Sequence, residues 1–382
     1  MPPSKTQMPT TIDLIGEDLL HNIVSRLPAT SFAYAACVSR SWNLVCERLL
    51  CRPKLSSACS FNPSLQVAVE EVVNKVLSEP IRPHFAIASV GRLYYLEDGL
   101  GEAHDLITAA LGFQVPVITN RPGGIIGRDA ISGEFKEIEW YLRDEINAIM
   151  LVVGFLPGLK VTTIPLLKQQ IQDPETVIID EFVTDIREFS TSVSGRSSPA
   201  AIIMFTNYYG RITAVIEKLD YAMSPETVIV GDTLCKFRCT NDAPFGTSAA
   251  VALVFAVDRN KTPDSTTAIS SAAAVSRHLR SFNQGSNNAT GGDKLEVFGG
   301  LIFTCPDIFS PGHPDINSSP FLDNFPGVTL GGTFCSRVIG CHVLTPYVKE
   351  SQEQKAVGWG GGGGGGGGGG KSRGRWLVMG VR

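Results

Sequence analysis

Apolar positions near the amino terminus recur with a helical period. Leu19, Leu20, Ile23, Val24 and Leu27 form one stripe, which predicts an amphipathic helix starting at Gly16. Glu17 and Asp18 suit its positive end, and Pro28 stops it. Phe32, Ala35, Ala36 and Cys37 predict a second short helix, capped by Thr30 or Ser31. Trp42, Val45, Cys46 and Leu49 have the i, i+3, i+4, i+7 spacing of a third, capped by Ser39. Helices this short bury little among themselves. Their apolar surface is expected to be finished by another chain or domain.

The pattern then changes. Residues 53–64, with Pro53, Pro63 and several serines, read as a linker. Leu65, Val69, Val72, Val73, Val76 and Leu77 predict another amphipathic helix, closed by Pro80. Apolar runs at 85–90 and 249–257 read as buried strands, and those at 148–155 and 200–205 as strands. Further strands are predicted at 115–119, 160–164, 227–230, 295–304 and 328–334, and helices at 102–111, 209–221 and 268–282. The stretch 200–230 reads as one β-α-β unit. Strands and helices alternate, so the expected class is a mixed α/β body behind three helices. No leucine period of 20–29 residues appears, so a leucine-rich solenoid is not expected.

Composition changes this picture in two places. Of 39 glycines in 382 residues, eleven lie in one run, Gly360 to Gly370. Ordering such a run costs maximal entropy and buries nothing, so 349–382 is expected to be a disordered tail. Net charge is −4 with both signs well mixed, which excludes a polybasic nucleic-acid binder. Two arginines near the glycine run do not make a nucleic-acid tail. No stretch is apolar enough for a membrane helix, and Met1 to Thr11 lacks the apolar core of a signal peptide. Nine scattered cysteines, without a CxxC, point to a reducing compartment, the cytoplasm or nucleus.

Two segments carry a family resemblance. Gly16-Glu-Asp-Leu-Leu-His-Asn-Ile-Val-Ser-Arg-Leu-Pro28 and Cys37-Val-Ser-Arg-Ser-Trp42-Asn resemble an F-box. Ile15-Gly16 stands where that family opens on Leu-Pro. Gly124-Ile-Ile-Gly-Arg-Asp129 and Phe321-Leu-Asp-Asn-Phe-Pro-Gly-Val-Thr-Leu-Gly-Gly-Thr-Phe-Cys335 are similar to the FIST module that follows the F-box in eukaryotic proteins, plant ones included. Arg337 and Val338 replace that module's usual Gly-Glu.

The resemblance implies an F-box at 12–52, a FIST N-terminal lobe at 65–240 and a FIST C-terminal lobe at 241–348. It also implies a final strand beyond Tyr347. The tail does not show one, leaving an exposed sheet edge. The implied function is substrate receptor of a Skp–cullin–F-box ubiquitin ligase. Leu19, Leu20, Ile23, Leu27, Pro28, Val38 and Trp42 would bind the Skp adaptor, and through it a cullin. The body would hold a protein substrate of unknown identity. The alternative is a FIST-type small-molecule sensor coupled to the F-box.

Candidate chemistry is sparse, and no catalytic residue, cofactor or metal is expected. Gly123-Gly124-x-x-Gly127 lacks the spacing of a phosphate loop and reads as a tight turn with close backbone packing. Cys305, His313, Cys335, Cys341 and His342 lack the spacing of a zinc knuckle, and Cys235 and Cys239 sit in a strand or loop. All read as ordinary cysteines and histidines. No nucleophile motif accompanies the six histidines.

Overall fold

The computed structural model describes residues 16–91, 99–140, 146–167, 175–206, 212–240, 248–260, 267–273, 296–305, 318–340 and 374–381. Three helices come first: α1 (Glu17–Val24), α2 (Ala29–Ala36) and α3 (Arg40–Leu49). Gly16 is the N-cap of α1, and the Ser39 hydroxyl accepts the Trp42 N–H at 3.3 Å to cap α3, as expected. The cap of α2 is Pro28 and not Thr30 or Ser31. Its fixed φ leads straight into the helix, and its carbonyl accepts the Phe32 N–H at 2.8 Å.

The remainder is mixed α/β and repeats one plan three times. The first unit is β1 (Lys54–Ser60), α4 (Leu65–Val76), β2 (Phe85–Val90), α5 (Gly99–Leu111), β3 (Val117–Arg121), β4 (Gly124–Arg128), β5 (Phe135–Glu139) and β6 (Ile149–Phe155). The second is β7 (Leu159–Leu167), α6 (Glu175–Ser194), β8 (Ala201–Thr206), α7 (Ile212–Ala222), β9 (Val228–Thr233), β10 (Lys236–Cys239) and β11 (Ser248–Val257). The third is β12 (Thr267–Ala273), β13 (Glu296–Thr304), α8 (Ser319–Asn324), β14 (Thr329–Phe334), β15 (Arg337–Gly340) and β16 (Gly374–Val381).

The sheet orders are β1-β6-β2-β3-β10, β7-β11-β8-β9-β15 and β12-β16-β13-β14-β4-β5. In each, a unit's last strand lies between its first and second and runs antiparallel to both. The second and third strands are a parallel pair. A strand donated by another unit then pairs antiparallel with the third. The first unit gives β4 to the third sheet, the second gives β10 to the first, and the third gives β15 to the second. The exchange is cyclic, so no unit's sheet is complete without another unit.

Side chains alternate across these sheets, apart from the irregularities at 248–250 and 297–299. Phe85, Ile87, Met150, Val152, Ile203, Phe205, Val251, Leu253, Phe255, Leu301, Phe303, Leu377 and Met379 all enter one central core, where the three sheets meet. The residues between them face outward onto helices. Ala86, Leu151 and Val153 pack with α4 and α5. Ile202, Met204, Ala252 and Val254 pack with α6 and α7. Ile302, Leu330 and Val378 pack with Phe321 of α8. Strands buried on both faces read as unbroken apolar runs for this reason.

Several sequence expectations change. The linker 53–64 contains β1, whose small residues are demanded by packing. Leu55 lies against Gly299, and the Ser57 hydroxyl donates to the Leu330 carbonyl at 2.9 Å. The lobe boundary at 240/241 does not hold, because β11 sits between β7 and β8 while β10 belongs to the first sheet. Residues 267–273 form a strand and not a helix, since pairing with β16 overrides the helix preference of an Ala- and Ser-rich segment. The rest of that expected helix lies outside the described residues.

The tail is corrected most. Gly374–Val381 is a strand inside the third sheet, with Leu377, Val378 and Met379 fully buried. The apolar run Trp376-Leu-Val-Met379 supplies the final strand, so the expected exposed edge is filled. The glycine run itself lies outside the described residues.

Gly124 to Gly127 lie in strand β4 and not in a tight turn, with Gly123 just before it. The expected close packing is present. A Cβ on Gly124 would meet the Ile138 carbonyl oxygen at 2.2 Å, and one on Gly127 the Cys59 sulfur at 2.6 Å. Among the described residues no helix is long and apolar enough to cross a membrane.

Candidate functional site

The helical unit has a small core and an unfinished surface. Leu20, Val24, Phe32, Ala35, Val45 and Cys46 are buried together, with Leu27 and Trp42 half-buried at the edge. Leu19 is 56% exposed and Val38 58%, and Ile23 and the Pro28 ring are also exposed. Of the seven residues singled out, Leu19, Ile23, Pro28 and Val38 therefore face outward. Leu20, at 5% exposure, faces inward. Its side chain holds the helices together and is not itself a free contact surface. Tyr34 and Leu44 are exposed apolar residues that the sequence reading missed. The available signal was that Leu44 lies off the Trp42–Leu49 stripe, so helical geometry turns it outward.

This unit contacts the body directly. The Ala29 N–H donates to the Leu77 carbonyl at 2.9 Å, and Ala29 and Leu50 pack on the helix-covered side of the first sheet. Lys54, the first residue of β1, pairs with Glu79 at 2.5 Å. Leu77 closes α4 on the side where β2 begins. The helices thus sit at the amino ends of the first sheet's parallel strands.

At the opposite end the central core turns polar. Ser89 and Asn120 are partners on β2 and β3, and the Ser89 hydroxyl donates to Asn120 Oδ1 at 2.7 Å. Asp232 and Thr333 stand at the matching places near the ends of β9 and β14. Gly231 lets β9 approach β8. Its φ is +156°, and a Cβ there would lie 1.9 Å from the Met204 carbonyl oxygen.

Asn120 and Asp232 are wholly buried. Asn120 Nδ2 and both Asp232 carboxylate oxygens lack a hydrogen bond of good geometry, although the Cys235 and Cys335 thiols and the Ser336 N–H lie close to them. Burial pushes the Asp232 carboxyl well above the usual carboxylate range, and the neighbouring Cys335 and Cys235 thiols and the Ser336 N–H pull it only partly back. Burial first, and the Asp232 charge next, push both thiols up as well. These cysteines are held as neutral thiols, not poised as nucleophiles.

Other candidates are ordinary. Cys59, Cys235, Cys239 and Cys335 are buried thiols outside any disulfide, and Cys305 is partly buried. His313, Cys341 and His342 lie outside the described residues. Among the described residues no group of three or more His, Cys, Asp or Glu side chains is placed to hold a metal. His104 Nδ1 is 3.0 Å from the Thr119 hydroxyl, and the His84 ring packs edge-on against Phe155.

Two comparisons bear on the chain. It is 43% identical over 243 residues to an F-box/LRR-repeat protein of Arabidopsis thaliana, a match covering 61% of this chain and 45% of that protein. The chain thus spans under half the length of this relative. Residues 12–54 match the F-box domain, so the three helices with the exposed Leu19–Ile23 face are an F-box.

Proposed function

We propose that this chain is the substrate-recognition subunit of a Skp–cullin–F-box ubiquitin ligase. The observation that carries the reading is the F-box match at 12–54 together with the outward turn of Leu19, Ile23 and Val38. Such a face gains by burial on a partner at about 25 cal/mol per Å² of apolar area. Leu19, Ile23, Pro28 and Val38 contact the Skp adaptor, and the adaptor brings the cullin. Leu20, Leu27 and Trp42 keep that surface in shape from beneath.

The body is a FIST-like module that holds the protein substrate. Its two resembling motifs support this reading by lying on paired strands, with Ile126 opposite Gly332 and Gly124 opposite Phe334. The chain supplies proximity, and the reactive chemistry belongs to the conjugating enzyme. Rigid attachment at Ala29, Leu50 and Lys54 sets one angle between adaptor and body. A small-molecule reading is favoured by one observation, the buried Asp232 and Asn120 groups that lack a well-formed hydrogen bond.

The test is capture of a purified Skp-type adaptor by the full chain. Leu19→Ser with Ile23→Ser is expected to lower adaptor affinity at least tenfold, with the thermal transition of the body unchanged. Undiminished capture by the double variant overturns the assignment.

A further inference from the structure

Buried polar groups in folded proteins nearly always have partners, because an unmade hydrogen bond costs about 1–3 kcal/mol and more for a charged group. Three buried polar atoms at one end of one core, without a well-formed hydrogen bond and with only thiols and one backbone N–H beside them, are therefore a signal. Asp232 Oδ1 and Oδ2 come from the second sheet and Asn120 Nδ2 from the first. Cys235 lies next to both side chains, and Cys335 brings in the third sheet beside Asp232. Alternation along the strands aims them all inward. Asn120 shares the parity of Ile118, and Asp232 that of Val228 and Val230, all in the central core.

The position supports the signal. Ser89, Asn120, Asp232 and Thr333 stand at the carboxyl ends of the three parallel pairs, where ligands of α/β sheets commonly bind. We propose that the carboxyl end of the central core is a binding site for a small cation bearing N–H donors, such as a primary ammonium or an amidinium, with Asp232 as its counter-ion. Asn120 Nδ2 donates to an acceptor on the same ligand or to a water bound with it. The Cys235 and Cys335 thiols form soft, weakly polar walls.

The chemistry follows from what surrounds Asp232. The titratable groups facing it are the Cys235 and Cys335 thiols, and no cationic side chain among the described residues acts on it. Burial accordingly favours the neutral carboxyl in the empty site. A bound ammonium stabilises the carboxylate, so the Asp232 proton leaves to solvent as the ion pair forms. At most one proton is released for each cation bound, and no electron moves. The inference concerns the body alone. Its failure leaves adaptor docking untouched, and loss of adaptor docking leaves it untouched.

The test uses the full chain with methylammonium or acetamidinium chloride, and tetramethylammonium chloride at equal ionic strength as the cation without N–H donors. A saturable rise in Tm is expected for the first two and not for the third. Calorimetric titration in buffers of different ionisation enthalpy should show net proton release on binding. Asp232→Asn, close in shape, should lose the response. Asn120→Ser should weaken it severalfold and decides the matter if the first variant does not fold. A flat response, an equal rise with tetramethylammonium, or an unaltered response in either folded variant overturns the proposal.

Discussion

The F-box and the body solve the same problem in opposite ways. Both must cover apolar surface that their own short elements cannot hide. The F-box buries six side chains and leaves Leu19, Ile23, Tyr34, Val38 and Leu44 in water. The body closes on itself, because each unit lends a strand to another unit's sheet. The difference teaches where partners belong. Surface that the chain finishes internally is architecture, and surface left unfinished on a rigidly held unit is available for another chain.

The largest way to break this comparison is to remove β16. Without residues 374–382 the third sheet loses the strand between β12 and β13, together with Leu377, Val378 and Met379. The body is expected to lose its cooperative transition in thermal or urea unfolding. A truncated chain with the parent's Tm would mean that the tail is dispensable after all. Next comes Phe255→Ala in the central core, where the ring packs edge-on to Phe85 at 5.2 Å. A cost of about 3–5 kcal/mol is expected, measured by urea unfolding.

Leu20→Ala sharpens the contrast inside the F-box. It should cost about 2–5 kcal/mol, confined to the helical unit and read as early loss of hydrogen-exchange protection over 17–49. Spread of that loss into β11 would mean that the two regions fold as one.

Asp232→Asn gives a smaller, pH-dependent effect. In the absence of a cation the folded carboxyl titrates well above its unfolded value near about 4. The native state keeps a proton that the unfolded chain gives up, so stability falls as pH rises above about 4, by up to about 1.4 kcal/mol per unit, until the folded pKa is passed. Asparagine removes that slope. The variant should therefore be more stable than the parent at pH 7 and about equal at pH 4. A parallel pH dependence in both proteins would remove Asp232 as the titrating group.

How much of this was legible depends on how local each signal is. β2, β6, β8 and β11 were visible because burial on both faces leaves an unbroken apolar run, and the β8-α7-β9 unit followed from the alternation of such runs. β1, with Ser56, Ser57 and Ser60, and β12, rich in Ala and Ser, look like linker and helix because their fit depends on strands far away in sequence. The exchange strands β10 and β15 span four residues each, too short for any period to register. The threefold plan is a property of strand pairing.

In the F-box the stripe located the helices but not their facing. Leu19 and Leu20 are adjacent and both apolar, and only packing decides that Leu20 turns in and Leu19 out. The polar end of the core was equally hidden, since Asn120 and Asp232 look like turn residues closing ordinary strands.

The central claim is that the exposed F-box face docks a Skp-type adaptor while the body stands complete without it. Titration calorimetry of the purified adaptor into the parent chain and into Leu19→Ser with Ile23→Ser tests this most directly, with Tm measured on the same samples. The account predicts saturable binding to the parent, at least tenfold weaker binding to the variant, and Tm values that agree because these outward side chains change stability by under about 0.5 kcal/mol each. Equal affinity for both chains, at equal Tm, would contradict it.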